Sequence, residues 1–179
     1  MRNFLFLLTV AALVNGCSNQ TKTEASNDDV KVKSAAVSLP YVPNYSASFK
    51  MGNDEYSKMI VQGSWKDWEN NTMDNMKSWI ADTIVAIHSD NTMVKGADSL
   101  IARWKTGRAK YSAVVDTLDA VIPVYSTDKN ENWVLVWAKE INTRTDGTKD
   151  TAWVMETWRI NKDGKADLLL QYDRATRKK

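Results

Sequence analysis

A chain of 179 residues with 43% hydrophobic residues is long enough for one ordinary domain with a buried core. Its 24 Lys and Arg nearly balance its 22 Asp and Glu, so the net charge of +2 gives no field that would favour nucleic acid. One Cys and one His cannot form a Cys/His metal set, and the sequence lacks a glycine-rich phosphate loop, so we expect no cofactor.

The first 16 residues have the pattern of a secretory signal. A basic start precedes an apolar stretch, Phe4 to Val14, that is too short to span a bilayer. It ends in LVNGC, which resembles the lipobox of bacterial lipoproteins, where the cysteine is lipidated and becomes the new N-terminus. The alternative is a plain cleaved signal with an incidental cysteine. We expect a signal peptide over 1–16, lipidation of Cys17, and a place in the bacterial cell envelope facing the periplasm.

Residues 17–50 are predicted to be a lipid-anchored flexible tether. The segment is rich in Ser, Asn, Thr, Asp and Lys and has no sustained apolar period. Aromatic residues near its end are placed to attach its last part to the domain: Tyr41, Tyr45 and Phe49. We expect a folded domain over 51–176 and a basic tail over 177–179.

Helices come first in the predicted domain. Asn53 followed by Asp54-Glu55 is typical of a helix start, with a capping residue and an acidic first turn. Apolar residues then recur at helical spacing on two sides, which indicates a helix held between two surfaces. A second short helix is expected from Thr72 to Asp82, and a third from Ala97 to about Lys105.

Strands dominate the rest of the domain. β-branched content predicts one strand from Thr83 to His88, before the third helix. Four long β-rich runs separated by turn residues follow that helix: 112–125, 132–144, 151–160 and 165–173. Helices followed by an antiparallel meander predict an α+β fold in which one sheet face covers the helices.

The order of these pieces resembles a known superfamily. An opening helix, the stretch MKSWIADTIVAIHSDNTMVKGADSLIARW and four strands with a late RINKDGK turn are similar to nuclear transport factor 2-like proteins over about residues 52–175. These include ketosteroid isomerases, SnoaL-like polyketide cyclases and many exported proteins of unassigned role. The resemblance implies a cone-shaped domain of N-terminal helices packed on a curved antiparallel sheet. It leaves the function open, because this fold hosts enzymes, binding modules and assembly domains.

The register of the central hairpin predicts which residues line the cone. A two-residue turn at Asp146-Gly147 places Trp137 opposite Glu156 on the more apolar face, which we assign to the inside. The predicted pocket residues are mostly aromatic: Tyr56, Trp65, Trp79, Trp137, Trp158, Leu170 and Tyr172. Tryptophans on helices belong to a core more often than to a ligand platform, and both interpretations stay open.

Two polar residues are the predicted catalytic candidates. Alignment of IADTIVAIH with the isomerases puts His88, the only histidine, at the position of their general base. Glu156 is a carboxylate among apolar neighbours and a rough match for the isomerases' second acid, as Tyr56 is for their tyrosine. The alternatives are that His88 bonds a loop carbonyl near Ser89 or Asp90, and that Glu156 lies at a rim or pairs with Lys139.

Two functions follow from these features. The preferred one is a membrane-tethered exported binding module that holds a small hydrophobic or ring-bearing molecule in an aromatic pocket. The alternative is a small lyase, isomerase or cyclase with His88 as general base. The opposite sheet face carries few charges and predicts a homodimer through its apolar residues: Val134, Val136, Ala138, Trp153 and Met155.

Overall fold

The computed structural model describes residues 40–175, without the side chain of Ala175. The predicted signal peptide, Cys17, most of the tether and the tail 177–179 lie outside the described residues. Strand β1 (Phe49–Met51) is followed by α1 (Asp54–Ile60), a π-helical turn (Val61–Lys66), α2 (Asp67–Asn70) and a 3-10 helix (Met73–Ser78). The remaining elements are β2 (Ile80–Ile87), β3 (Met93–Lys95), α3 (Ala97–Arg108), β4 (Tyr111–Ser126), β5 (Glu131–Arg144), β6 (Lys149–Ile160) and β7 (Ala166–Ala175).

The helices begin close to the predicted positions. The Asn53 side chain accepts a hydrogen bond of 3.0 Å from the backbone N–H of Glu55, so the predicted cap of α1 is confirmed. Thr72 makes no capping bond, and the helix after it is 3-10 rather than α. That helix ends at Ser78, so β2 begins three residues before the predicted Thr83. In residues 40–175, no helix is long and apolar enough to cross a membrane.

Seven strands form one sheet in the order β1-β4-β5-β6-β7-β2-β3. Neighbouring strands are antiparallel except β2 and β7, which are parallel. This parallel pair brings β2, which ends directly before His88, beside β7. The predicted α+β fold, with helices packed on a curved sheet, is confirmed.

The ordered chain starts before the predicted domain boundary. Tyr45 packs edge-on against Trp133 at 5.8 Å and donates a hydrogen bond to Glu131. Residues Phe49–Met51 then pair with the end of β4. The last part of the predicted tether is therefore attached to the domain through Tyr45 and Phe49, as expected, and the strand Phe49–Met51 begins two residues before the predicted boundary at 51.

The central hairpin turns by three residues rather than two. Gly147 has φ of +85°, its N–H donates to Arg144 O, and Arg144 N–H donates to Thr148 O. This is a turn followed by a left-handed glycine, and it pairs Trp137 with Met155 and Val136 with Glu156. A one-residue shift moves every side chain of β5 to the other face relative to β6, so the predicted pairing of Trp137 with Glu156 is wrong.

An irregularity next to the last hairpin shifts β7 by one residue relative to β6. Gly164 has φ of +76°, and the β6–β7 register shifts between Arg159 and Ile160. As a result Trp158 pairs with Leu169 instead of sharing a face with Leu170. The core cluster fills the closed part of the cone, and its wholly buried members come from both layers: Ile60, Met76, Ile80, Ile84, Leu100, Val134, Val136, Trp158 and Leu169.

The two corrections change the composition of both sheet faces. Val134, Val136 and Ala138, which we expected outside, are at most 2% exposed and belong to the core. The apolar residues on the outer face are instead these, each 40–59% exposed: Trp137, Trp153, Met155 and Tyr172. An outer apolar patch therefore exists, with a composition that differs from the predicted one.

Candidate functional site

A cavity of about 830 Å³ lies between the helices and the inner sheet face, at the end of the cone that the core does not fill. Its helical wall is largely aromatic, with Trp65, Trp68 and Trp104. Its sheet wall is polar, with side chains from β2 and β5 to β7: His88, Glu140, Asn142, Glu156, Gln171 and Asp173. A ligand in this cavity would therefore contact aromatic rings on one side and hydrogen-bonding groups on the other.

The π-helical turn places the tryptophans of the helical wall. Gly63 lies in that turn against the Trp79 ring, and a Cβ at this position would overlap the ring. The wider turn brings Trp65 onto the cavity, and α2 then adds Trp68. Such π turns are rare and occur often at functional sites.

A buried arginine fixes the end of this wall. Arg108 is 5% exposed and donates to three backbone carbonyls, those of Trp68 at 2.7 Å, Tyr111 at 2.8 Å and Glu69 at 3.1 Å. These bonds tie α3 to the end of α2 and to the start of β4. The backbone that carries Trp68 is therefore held in one place.

A chain of side-chain hydrogen bonds crosses the inner sheet face. Gln171 donates from Nε2 to Glu156 Oε1 at 3.2 Å, and its Oε1 lies 2.9 Å from Nδ1 of His88. Trp158 Nε1–H donates to the other Glu156 oxygen at 2.9 Å. Because the amide nitrogen of Gln171 faces a carboxylate, its oxygen faces His88 and accepts from Nδ1. The neutral imidazole then carries its lone pair on Nε2.

Three carboxyl groups on this face have raised pKa values. Burial raises the pKa of Glu156 to about 7, against the bonds from Trp158 and Gln171 that favour the anion. Burial and, to a smaller extent, the negative charges of Glu140 and Glu156 raise the pKa of Asp116 to about 8. Burial raises the pKa of Glu140 as well, opposed by the hydrogen bond from Asn142. Near neutral pH Glu156 and Asp116 are therefore partly protonated.

Several buried polar atoms at the cavity have no partner among residues 40–175. Among the cavity residues two acceptors lack a partner, His88 Nε2 and Asn142 Oδ1. The indole N–H groups of Trp65 and Trp68 make no hydrogen bond of normal geometry, but they lie close enough to Glu156 and Glu140 to lower the pKa values of those carboxyl groups. Both oxygens of Asp116, which pairs with Glu140 across β4 and β5, also lack a partner. Buried polar atoms are nearly always hydrogen-bonded in proteins, so the two unpartnered acceptors on the cavity can be satisfied by a bound molecule.

The predicted catalytic candidates both lie on the inner side. His88 is 7% exposed, follows buried Ile84 and Ala86 on one face of β2, and lines the cavity. It bonds Gln171 rather than a loop carbonyl. Glu156 is 4% exposed, so it does not lie at an open rim. Its carboxylate bonds Trp158 and Gln171 rather than Lys139. Gln171 connects the two residues, and its role escaped sequence analysis because the predicted register put it on the outer face.

The predicted pocket residues separate into three groups. Trp65 lines the cavity. Trp79 and Trp158 are core residues whose rings meet edge-on at 5.5 Å, and Tyr56 packs against that core. The assignment of the remaining three to the pocket is wrong, because the three-residue turn and the β7 shift put them on the outer face: Trp137, Leu170 and Tyr172.

The residues that sequence analysis missed are Glu140, Asn142 and Asp116. Each occupies an alternate position of a long strand and has no motif around it. The only available signal was that Glu140 and Asn142 are alternate residues of β5 and therefore share a face. The wrong register assigned that face to the outside. In the part of the chain described, no three His, Cys, Asp or Glu side chains are grouped to hold a metal ion.

The fold is similar to that of many solved structures. A Mycobacterium tuberculosis LEH-like epoxide hydrolase is 12% identical, with a TM-score of 0.55 over 67% of this chain and 84% of that chain. A Δ5-3-ketosteroid isomerase from Mycobacterium sp. is 19% identical, with a TM-score of 0.53 over 68% and 98%. Another Mycobacterium tuberculosis protein, in complex with estradiol-17β-hemisuccinate, is 16% identical, with a TM-score of 0.53 over 65% and 92%.

Further similar structures are NTF2-like and SnoaL-like proteins. No protein-family model and no curated protein sequence matches the chain. The domain therefore has the nuclear transport factor 2-like fold that the sequence resemblance implied. Its structural neighbours include a hydrolase and an isomerase.

Proposed function

We propose that this protein is an exported binding module whose cavity holds a small ring-bearing molecule. The observation that carries the proposal is the cavity of about 830 Å³ between Trp65, Trp68 and Trp104 and the polar inner face of the sheet. Ligand pockets of this size class combine apolar walls with a few placed polar groups. The estradiol-17β-hemisuccinate complex of a protein with this fold supports a ligand with fused or single rings.

Release of the bound compound tests this function. The purified protein is denatured, and the released material is identified by mass spectrometry. We expect a ring compound in stoichiometric amount from the wild type and its loss from Trp65→Ala. The matched control is Trp137→Ala, which removes a tryptophan from the outer face and should retain the compound. Equal retention by both variants contradicts a ligand in this cavity.

A second function is supported by one feature of the site, the lone pair on His88 Nε2. We propose as the alternative a lyase, isomerase or cyclase in which Nε2 takes a proton from a carbon next to a carbonyl. In an isomerisation the same nitrogen returns the proton to a different carbon, so no other reactant is needed. Gln171 holds the ring and its tautomer through Nδ1.

Incubation of the released compound with the protein separates these functions. Conversion by the wild type and loss of conversion with unchanged binding in His88→Gln supports the enzyme. Under the binding function the compound is recovered unaltered, and His88→Ala weakens binding at little cost in stability. Chemical change that persists in His88→Gln contradicts the role of His88 as the base.

We also propose that the protein is anchored through a lipid on Cys17 and faces the periplasm. The support is the sequence LVNGC directly after an apolar run. Cys17→Ala should leave the chain uncleaved or release it into the soluble fraction. Normal processing and membrane fractionation of this variant contradict the proposal.

Finally, we propose a homodimer through the outer face of the sheet. Its support is the group of half-exposed apolar side chains on β5, β6 and β7, which is larger than isolated surface residues produce. A second copy of the same chain would cover this group in both partners through a two-fold contact.

A further inference from the structure

The polar wall of the cavity offers more acceptors than donors at one point. Asn142 uses its amide N–H to donate to Glu140 Oε1 at 2.6 Å. Its own Oδ1 is then left without a partner in a side chain that is 3% exposed. A carboxylate and an amide oxygen therefore lie side by side on the cavity wall. The group that satisfies both must donate at least two hydrogen bonds.

We propose that the ligand is a ring-bearing organic cation whose protonated amine binds Glu140 and Asn142 and whose ring packs against Trp65 and Trp68. This inference rests on the proposed binding function and specifies the ligand class for the same cavity. A protonated amine has three donors, whereas a hydroxyl has one, so only the amine satisfies both acceptors and retains a donor. Charge-assisted bonds to a carboxylate are also the stronger kind.

The aromatic wall suits the same ligand. Trp68 and Trp104 meet edge-on at 6.3 Å, and both line the cavity beside Trp65. The face of an indole ring attracts a cation within about 6 Å, with tryptophan the best of the aromatic residues. The wall therefore binds the ring by contact and favours a positive charge next to it.

The charged residues at the mouth of the cavity carry no net positive charge that would repel a cation. Arg144 pairs with Asp150 at 2.7 Å, and Arg103 pairs with Asp90 at 3.3 Å. Each pair is close to neutral as seen from the ligand. Lys110 and Asp173 add one charge of each sign to the lining. The unbalanced charge is inside, where the acids of the sheet face the ligand.

The charges around the acids predict a pH dependence of binding. Glu140 faces the negative Asp150 and the positive Arg108, and it pairs with Asp116 in register. Because burial raises the pKa values of Glu140, Asp116 and Glu156, a bound cation should displace protons from this group of acids. Affinity for the cation should therefore rise with pH, whereas affinity for a neutral molecule of the same shape should not.

The remaining groups near the acids do not change this direction. Glu140 also raises the pKa of Glu156, so ionisation of one acid hinders ionisation of the other. The negative charge of Glu69 raises the pKa of Asp116, and the positive charge of Lys66 lowers it. Lys66 itself pairs with Glu69 at 2.7 Å. Negative charge therefore dominates the interior.

Three probes of one shape test the inference by isothermal titration calorimetry on the purified full chain. They are 2-phenylethylamine, 2-phenylethanol and 3-phenylpropionate, which carry a positive, a neutral and a negative group. We expect the amine to bind at least tenfold more tightly than the alcohol and the acid to bind least. Between pH 6 and pH 8 the amine should gain affinity and release protons, measured in two buffers of different ionisation enthalpy.

A matched pair of variants locates the effect. Glu140→Gln should remove the preference for the amine, and Glu55→Gln, an exposed glutamate on α1, should leave it unchanged. Equal binding of the amine and the alcohol, or tighter binding of the acid, overturns the cation inference and leaves the binding function standing. If none of the three probes binds at millimolar concentration, both the cation and the binding function are contradicted.

Discussion

The two faces of strands β5, β6 and β7 differ in a way opposite to the usual pattern. The inner face, which the helices cover, carries Glu140, Glu156 and Gln171. The outer face carries Trp137 and Trp153, which are 42% and 40% exposed. Acids are thus enclosed while large aromatic side chains remain at the surface.

This difference shows that the apolar content of a strand face does not decide which face is covered. The inner face is apolar only where it meets the core, around Val136 and Trp158. Further along, the helical wall supplies the aromatic rings and the sheet supplies the polar groups. Buried acids reduce stability unless they are protonated or paired, so their retention is typical of a binding or reaction site.

The largest expected effect comes from replacing one tryptophan on each face with alanine. Trp158 is wholly buried, packs against Trp79 and Trp104, and bonds Glu156. Trp158→Ala should lower the free energy of unfolding by about 3–5 kcal/mol. On the outer face, Trp137→Ala should lower it by roughly 1 kcal/mol. Chemical denaturation measures both, and similar losses contradict the assignment of faces.

The next largest effect is a pH dependence of the free energy of unfolding, which arises from Glu156 on the inner face. The folded pKa of Glu156, about 7, lies above the 4.5 of an unfolded glutamate, so the folded state holds the proton more strongly. The stability from this group is present below pH 4.5 and is lost as the pH rises through 7. Between pH 5 and pH 8 the loss should be roughly 2–3 kcal/mol.

Glu156→Gln should reduce the slope by the part that Glu156 contributes and leave the part from Asp116, whose pKa is also raised, and Glu55→Gln should retain the whole slope. Urea unfolding at four pH values between 5 and 8 measures the slope for each protein. A wild type whose contribution from Glu156 grows with pH would show that its folded pKa is lowered rather than raised.

A smaller effect is expected from the bridge between the two candidate residues. Gln171→Leu removes the hydrogen bonds to His88 and Glu156 and leaves both buried groups one partner short. The loss should be about 1–2 kcal/mol, and larger at pH 8 than at pH 5 because the ionised acid needs the donor more. Thermal unfolding at the two pH values measures it. A loss of the same size at both would show that the bond to Glu156 does not depend on its charge.

The smallest expected change in stability comes from a charge on the outer face. Trp153→Glu alters a half-exposed side chain beside Arg174, so the fold of the chain should be retained. It should convert the proposed homodimer into a monomer, because the new carboxylate would replace apolar contact area and would be desolvated in the contact. Analytical ultracentrifugation at micromolar concentration measures the mass. A wild-type mass of one chain contradicts the dimer.

Much of the fold could be predicted, and the errors have identifiable causes. The four long strands begin and end within two residues of their predicted bounds because β-rich runs between turn residues are local signals. The face assignment of β5 was wrong because Asp146-Gly147 lies in a three-residue turn, and an Asp-Gly pair fits both turn lengths. The face assignment of β7 was wrong because the β6–β7 register shifts by one residue between Arg159 and Ile160. One residue of difference exchanges the two faces.

The sequence by itself determined the α+β class and the cap at Asn53, because each depends on residues near one another in the chain. Only the tertiary structure decided which acids are enclosed and that Gln171 joins His88 to Glu156. These features depend on strand register and on the parallel pairing of β2 with β7, which brings together residues 83 positions apart. No local pattern contains that information, since the contacts form only when distant strands meet.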